Sequence, residues 1–203
     1  MEREIIAHEL LNPGNGSPNS RQPKSQNVSF TDADLIARVL LHEDHNAFGE
    51  LVRRHQSPVR AFLVRMTRGD SHLADDLAQE TFLKAWQKLY TFRGTSRFST
   101  WLFGIAFNEF RGAARQRKEL ALEDMAESPP ELAGPSGAAG SNLRLDLTEA
   151  LKLLNSNERA AVVLCCQNGL SHEEAAQILD CPLGTLKTNV LRGKEKLKRR
   201  LSL

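Results

Sequence analysis

Three groups of residues in this chain of 203 have types and spacing suited to chemistry or recognition. Asp75, Asp76, Gln79 and Glu80 gather on one side of any helix that carries them, opposite Leu77, Phe82 and Ala85. Paired carboxylates can serve as acid and base or hold a metal. No histidine or nucleophile stands at matching spacing, so the patch reads as a solvated face or as a docking surface for a basic protein.

The second group is aromatic and basic. Eight of the twelve aromatic residues fall between Trp86 and Phe110, interleaved with Arg93, Arg97 and Asn108. Such a mixture suits unstacked bases, which need a π-surface and hydrogen-bond donors. Trp86, Trp101 and Phe103 are expected to build core, whereas Phe92, Arg93 and Phe98 are expected in a Gly94-containing loop open to a ligand.

The third group lies near the end of the chain. Ser171 and Glu174 fit a capping box that opens a short helix with Ala175, Ala176, Ile178 and Leu179 on its apolar face. Asp180-Cys181-Pro182 breaks that helix, and a second follows with Leu186, Val190, Gly193, Leu197 and Leu201 on one side. Thr185, Thr188, Asn189 and Arg192 share another side, where small hydrogen-bonding groups and an arginine match the edges of bases in a major groove. Six basic residues against one glutamate from Arg192 onward suit phosphate contacts.

The elements that must position these groups are helical. Thr31 and Asp34 cap a helix carrying Leu35, Ile36, Val39 and Leu40. Phe48, Leu51, Val52, Val59, Phe62, Leu63 and Met66 recur at helical steps, with Pro58 expected to kink or divide the segment. A stripe from Leu73 to Leu89 and another through Leu102, Ile105 and Ala106 complete an all-α pattern, with no useful alternating strand. Residues 12–27 are turn formers with almost no apolar side chains, and 119–142 contain Pro129, Pro130 and Pro135 among small residues. The expected organisation is therefore a flexible extension (1–28), a helical domain (29–118), a flexible linker (119–142) and a helix-turn-helix domain (143–203).

Net charge is +2, and its distribution is more informative than its total. Residues 44–118 carry thirteen basic and seven acidic side chains, 119–142 none and five, and 143–203 ten and seven. Two basic blocks thus flank an acidic spacer, a pattern suited to a polyanion. No run approaches the roughly 18 apolar residues of a membrane span, and no secretory signal opens the chain. Cys165, Cys166 and Cys181 make a poor disulfide framework and lack zinc spacing, so all three are expected to be buried small hydrophobes in a reducing cytosol. No cofactor or metal is expected.

The ordered motifs resemble the group-four, or extracytoplasmic-function, bacterial RNA polymerase sigma factors. The likeness is carried by Ala-Phe-Gly-Glu-Leu-Val at 47–52, Asp-Asp-Leu-Ala-Gln-Glu-Thr-Phe-Leu-Lys-Ala-Trp at 75–86, Phe-Arg-Gly-Thr-Ser-Arg-Phe-Ser-Thr-Trp-Leu-Phe-Gly-Ile-Ala-Phe-Asn at 92–108 and Gly-Leu-Ser-His-Glu-Glu-Ala-Ala-Gln-Ile-Leu-Asp-Cys-Pro-Leu-Gly-Thr-Leu-Lys-Thr at 169–188. It implies a region-two helical bundle followed by a region-four helix-turn-helix. It further implies that Asp75, Asp76, Gln79, Glu80 and Leu83 dock on the clamp helices of the polymerase largest subunit, with the flap as a second polymerase contact. Phe92, Arg93, Ser96, Phe98 and Asn108 would read and capture the −10 element, and Arg111, Arg115, Arg117 and Lys118 would follow its backbone. Thr185, Lys187, Thr188, Asn189, Arg192 and Lys194 would meet the −35 duplex.

The resemblance also implies a cytoplasmic bacterial transcription factor without catalysis of its own, controlled by an anti-sigma factor and not inserted in the membrane. The chain departs from the family at Phe107, Gly112, Asn155, Asn189 and Gly193; Gly193 replaces a frequent alanine at an expected cost of ~1 kcal/mol in helix propensity. A dimeric helix-turn-helix regulator leaves the aromatic loop and acidic helix unexplained. A metal-dependent hydrolase built on Asp75, Asp76 and Glu80 lacks a set of ligands. A polymerase-binding antagonist is the remaining alternative.

Overall fold

The computed structural model describes residues 30–124 and 142–201. The expected extension and most of the expected linker therefore lie outside the described residues, as does the side chain of Lys118. All regular structure among the described residues is helical.

Helix α1 (Asp32–His42) begins as its sequence requires. Thr31 and Asp34 form a reciprocal capping box, with Asp34 N donating to Thr31 Oγ1 at 3.2 Å and Thr31 N to Asp34 Oδ2 at 2.8 Å. Helix α2 (His45–Met66) follows with Asp44 as its N-cap and buries Phe48, Leu51, Val52, Val59, Phe62, Leu63 and Met66. Burying each large apolar side chain contributes roughly 1.5–3 kcal/mol, which holds the helix together through its proline. Pro58 does not divide the segment; it is solvent-exposed, where water can serve the carbonyl its ring leaves unbonded.

Helix α3 (Ser71–Lys88), a short 3₁₀ turn (Leu89–Thr91) and helix α4 (Phe98–Asp124) complete the first unit, with α2, α3 and α4 packed on one another and α1 laid against α2. Phe48 meets Trp86 edge-on at 4.9 Å, and Phe62 meets Phe103 likewise at 5.5 Å. Helix α4 extends six residues beyond 118, into the stretch expected to begin the linker.

The second unit consists of shorter pieces and one long helix: α5 (Asn142–Lys152), α6 (Ser156–Val162), a π turn (Val163–Gln167), α7 (His172–Leu179) and the long α8 (Leu183–Leu201). Short helices hold few internal bonds, so their caps matter more. Asn155 caps α6 in a capping box with Glu158, at the position where the resembled family has proline. Glu158 is itself buried and paired with Lys196 of α8 at 2.7 Å. Gly193 sits where α8 crosses α6; a Cβ there would lie 2.5 Å from Val162 Cγ2. Its absence is a packing requirement, which corrects the expectation that Gly193 acts only through propensity.

The two units touch. Arg159, 2% exposed, donates to Leu151 O and Leu154 O within its own unit and to Met66 O at the end of α2. Burial, with Arg68 nearby, pushes its pKa down to about 10, so it remains charged at neutral pH. Its partners are carbonyls at helix ends, where the backbone dipoles favour a cation.

Candidate functional site

The acidic residues of α3 share its solvent side. Asp76, Gln79 and Glu80 are exposed, Asp75 and Leu83 are half-buried, and Ala74, Leu77, Thr81, Phe82 and Ala85 face the core. Asp75 is not a free carboxylate. Arg60 of α2 approaches it with Nε at 2.5 Å and Nη2 at 3.1 Å, and this bond raises the arginine's pKa. A cavity of about 310 Å³ lies beside the pair, bounded by Gln56, Ser57, Arg60, Ala78, Gln79 and Phe82. The face thus combines two free carboxylates with an amphipathic groove, a surface suited to a basic helix. Arg60 and Gln56 escaped the sequence reading because no spacing rule links two helices.

The aromatic stretch is divided by the fold. Phe92 is half-buried and Arg93 exposed, and Gly94 turns the loop with φ +69°, a conformation that favours glycine. Ser96 is half-buried. Phe98 is not a loop residue: it opens α4 and is 5% exposed. It stacks on Trp101 at 5.6 Å, meets Phe92 edge-on at 5.6 Å and takes the His55 ring edge-on at 5.3 Å. His55 is held in turn by Asp32 Oδ2 at 2.7 Å from its Nε2. Phe98 is therefore a support beneath the loop, while Tyr90, 76% exposed, is the stretch's most accessible aromatic.

Along α4, Asn108, Arg111 and Arg115 are exposed, and Arg111 lies 5.9 Å from the centre of the buried Phe107 ring. Arg117 is exposed and reaches Asp70 at 3.7 Å, a separation that holds it only loosely. One helix thus offers three arginines and an amide to a polyanion. Phe107, where the resembled family has a basic residue, belongs to the core instead.

Helix α8 divides as its periodicity requires. Leu186, Val190 and Gly193 are buried and Leu197 and Leu201 half-buried; Thr185, Lys187, Thr188, Arg192 and Lys194 are exposed, with Asn189 half-buried beside them. Thr188 Oγ1 donates to Gly184 O at 2.9 Å, leaving its lone pairs for a partner. Helix α7 is braced by Ser171 and Glu174, with Glu174 N donating to Ser171 Oγ at 3.1 Å and Ser171 N to Glu174 Oε2 at 2.9 Å. The same carboxylate crosses to the first unit, accepting from Thr100 Oγ1 at 2.9 Å and Arg97 Nη2 at 3.3 Å. The Ser171 N–H above all, then Thr100 and Arg97, overcome the cost of burial and hold its pKa below the usual carboxylate range. No sequence pattern marked Arg97 and Thr100 as partners of a residue more than seventy positions away.

Cys165 and Cys181 pack against the core but are half-buried rather than buried as expected, and burial is the main cause that pushes the Cys165 thiol up to about 11. Cys166 is exposed instead, because the π turn's extra residue rotates it off the buried face. No helix among the described residues is long and apolar enough to cross a membrane.

Comparison with known proteins places this geometry among relatives. A family model described as sigma-70 region 2 matches residues 51–119, and one described as sigma-70, region 4 matches 144–197. An ECF RNA polymerase sigma-E factor of Haemophilus influenzae is 32% identical over 189 residues, covering 85% of this chain and 96% of the relative. An RNA polymerase sigma-H factor of Pseudomonas aeruginosa is 31% identical over 182 residues, covering 84% and 93%. Among solved structures, the sigma factor RpoE from Bartonella quintana, determined in complex with the anti-sigma factor NepR, matches with TM-score 0.66 and 31% identity over 77% of this chain and 97% of that one. CnrH, in complex with the cytosolic domain of CnrY, matches with TM-score 0.62 and 26% identity over 84% and 97%.

Proposed function

The chain belongs to the extracytoplasmic-function sigma factors, and from that premise we propose how its own residues divide the work. Residues 29–118 act as the region-two domain and 143–203 as the region-four domain, joined through 119–142 and preceded by an extension at 1–28. The chain recruits core RNA polymerase to particular promoters in the bacterial cytoplasm and performs no catalysis itself. Asp76, Gln79, Glu80 and Leu83, with the Asp75–Arg60 pair at their edge, form the polymerase docking face. The amphipathic groove beside Phe82 gives that face an apolar anchor as well as charge.

Arg93, Ser96 and Asn108 meet the −10 element, with Phe92 and Phe98 supporting the loop that captures an unstacked base. Arg111, Arg115, Arg117 and Lys118 follow the phosphates. Thr185, Lys187, Thr188, Asn189, Arg192 and Lys194 meet the −35 duplex, and a flap element of polymerase holds this domain there. The relative solved with the anti-sigma factor NepR supports the same mode of control for this chain.

One observation carries the assignment: an exposed carboxylate face and an exposed Thr185–Arg192 face occur in one chain, on separate helices. A protein that only binds duplex DNA has no use for the first. Titration of labelled full-length chain with core polymerase tests it. Charge reversal at Asp76 and Glu80 is expected to weaken binding at least tenfold, and undiminished binding would remove the docking assignment.

A further inference from the structure

Among the described residues, one carboxylate makes two side-chain bonds between the two units. Glu174 accepts from Thr100 Oγ1 and Arg97 Nη2, immediately beside Ser96 and Phe98 of the proposed −10 loop. A hydroxyl and a guanidinium converging on anionic oxygens are the complement a DNA phosphate requires. We propose that Arg97 and Thr100 form a further phosphate-binding spot of the −10 reader, and that Glu174 occupies it in the free chain, latching the two domains together. The inference rests on the assignment of the two units to the −10 and −35 elements.

The latched form cannot serve a promoter. The two elements lie about two and a half helical turns apart, or roughly 85 Å, whereas a compact chain of this size has a radius of gyration of about 17 Å. Opening is covalently permitted, because residues 125–141, if extended, reach roughly 60 Å.

The junction is also built to part. Arg159 loses only Met66 O on separation and keeps Leu151 O and Leu154 O within its own unit. A cavity of about 470 Å³ remains between the units, bounded by His55, Ser57, Phe103, Gln167 and Asn168, and the buried Oδ1 of Asn168 has no hydrogen-bond partner among the described residues. Permanent cores seldom leave such a group unsatisfied. Glu174 itself loses nothing structural on release, because its bond to Ser171 N keeps it in the cap of α7.

Two single substitutions in the full-length chain test the two halves of the proposal. Glu174→Gln removes the charge while glutamine still serves a capping box. It is expected to enlarge the radius of gyration of the free chain in small-angle scattering. It is also expected to tighten binding to core polymerase about fivefold or more, by removing the share of closed molecules. Arg97→Ala is expected to tighten core binding similarly, yet to weaken the holoenzyme's hold on promoter DNA and reduce its salt slope by about one.

An unchanged radius and unchanged core affinity in Glu174→Gln would overturn the latch. Unchanged promoter affinity and salt slope in Arg97→Ala would overturn the phosphate spot. If the parent chain failed to bind core polymerase at all, the sigma-factor assignment would fall, while scattering would still decide the latch.

Discussion

The two helical units reach stability by different means. The first joins three long helices through large side chains, with Phe48, Phe62, Met66, Phe103 and Leu102 interlocked at its centre. The second has, α8 apart, short helices and a core without aromatic rings, and it depends on single polar devices: the Asn155 cap, the buried Glu158–Lys196 pair, the Arg159 guanidinium and the close approach at Gly193. A core made of many equivalent apolar contacts tolerates the loss of one. A core organised around individual hydrogen bonds does not, because each broken bond leaves a buried group unsatisfied. The unit with fewer residues should therefore be the more sensitive to substitution.

The largest break in that contrast is expected at Arg159. Arg159→Met leaves Leu154 O and Met66 O without their donor, while Leu151 O keeps its bond from Leu154 N, and it should cost about 2 kcal/mol or more. Hydrogen exchange would then rise throughout α5 to α8, while the first unit changes only near Met66. Next comes a pair of glycines with opposite signs. Gly193→Ala drives a methyl into Val162, a β-branched side chain with little rotamer freedom in a helix, and should cost about 1–3 kcal/mol. Gly112→Ala meets nothing within 4 Å and should stabilise α4 by up to about 1 kcal/mol. Chemical denaturation of both variants measures the difference, and equal signs would refute the packing account.

Asn155→Ala is expected to cost about 1 kcal/mol through its cap, detectable as a lower unfolding midpoint. The smallest effect is acid sensitivity. Burial raises the Glu158 pKa, but the Lys196 bond, the Asn155 N–H and the charges of Lys196 and Arg192 outweigh it, so the net value is lowered. A depressed carboxyl contributes its full stability above its unfolded value of about 4.3 and loses it as pH falls through the folded value. Amides of α6 and α8 should lose protection in that acid window, and Glu158→Gln should flatten the loss.

Much of this architecture is legible in the sequence because it rests on local rules. The Thr31 N-cap, the Ser171–Glu174 capping box, the inward face of α3 and the exposed face of α8 follow from spacing alone. What spacing hides is the meeting of distant elements. Gly193 looks like a propensity defect until α6 lies against it, and Arg159 is unremarkable until its side chain spans two units. Phe98 looks like part of the loop because its neighbours Ser96 and Arg97 are polar, but three rings draw it inward. Cys166 follows an apolar run, and only the π register turns it outward. Asp75 has the same character, since Arg60 comes from another helix.

Run-off transcription with purified core polymerase and a promoter library tests the central claim most directly. The full-length chain should yield RNA from defined start sites, and that RNA should disappear when either Asp76 and Glu80 or Thr188 and Arg192 are reversed or removed. Absence of start-site-specific RNA from the parent chain, with active core polymerase in hand, would contradict the account.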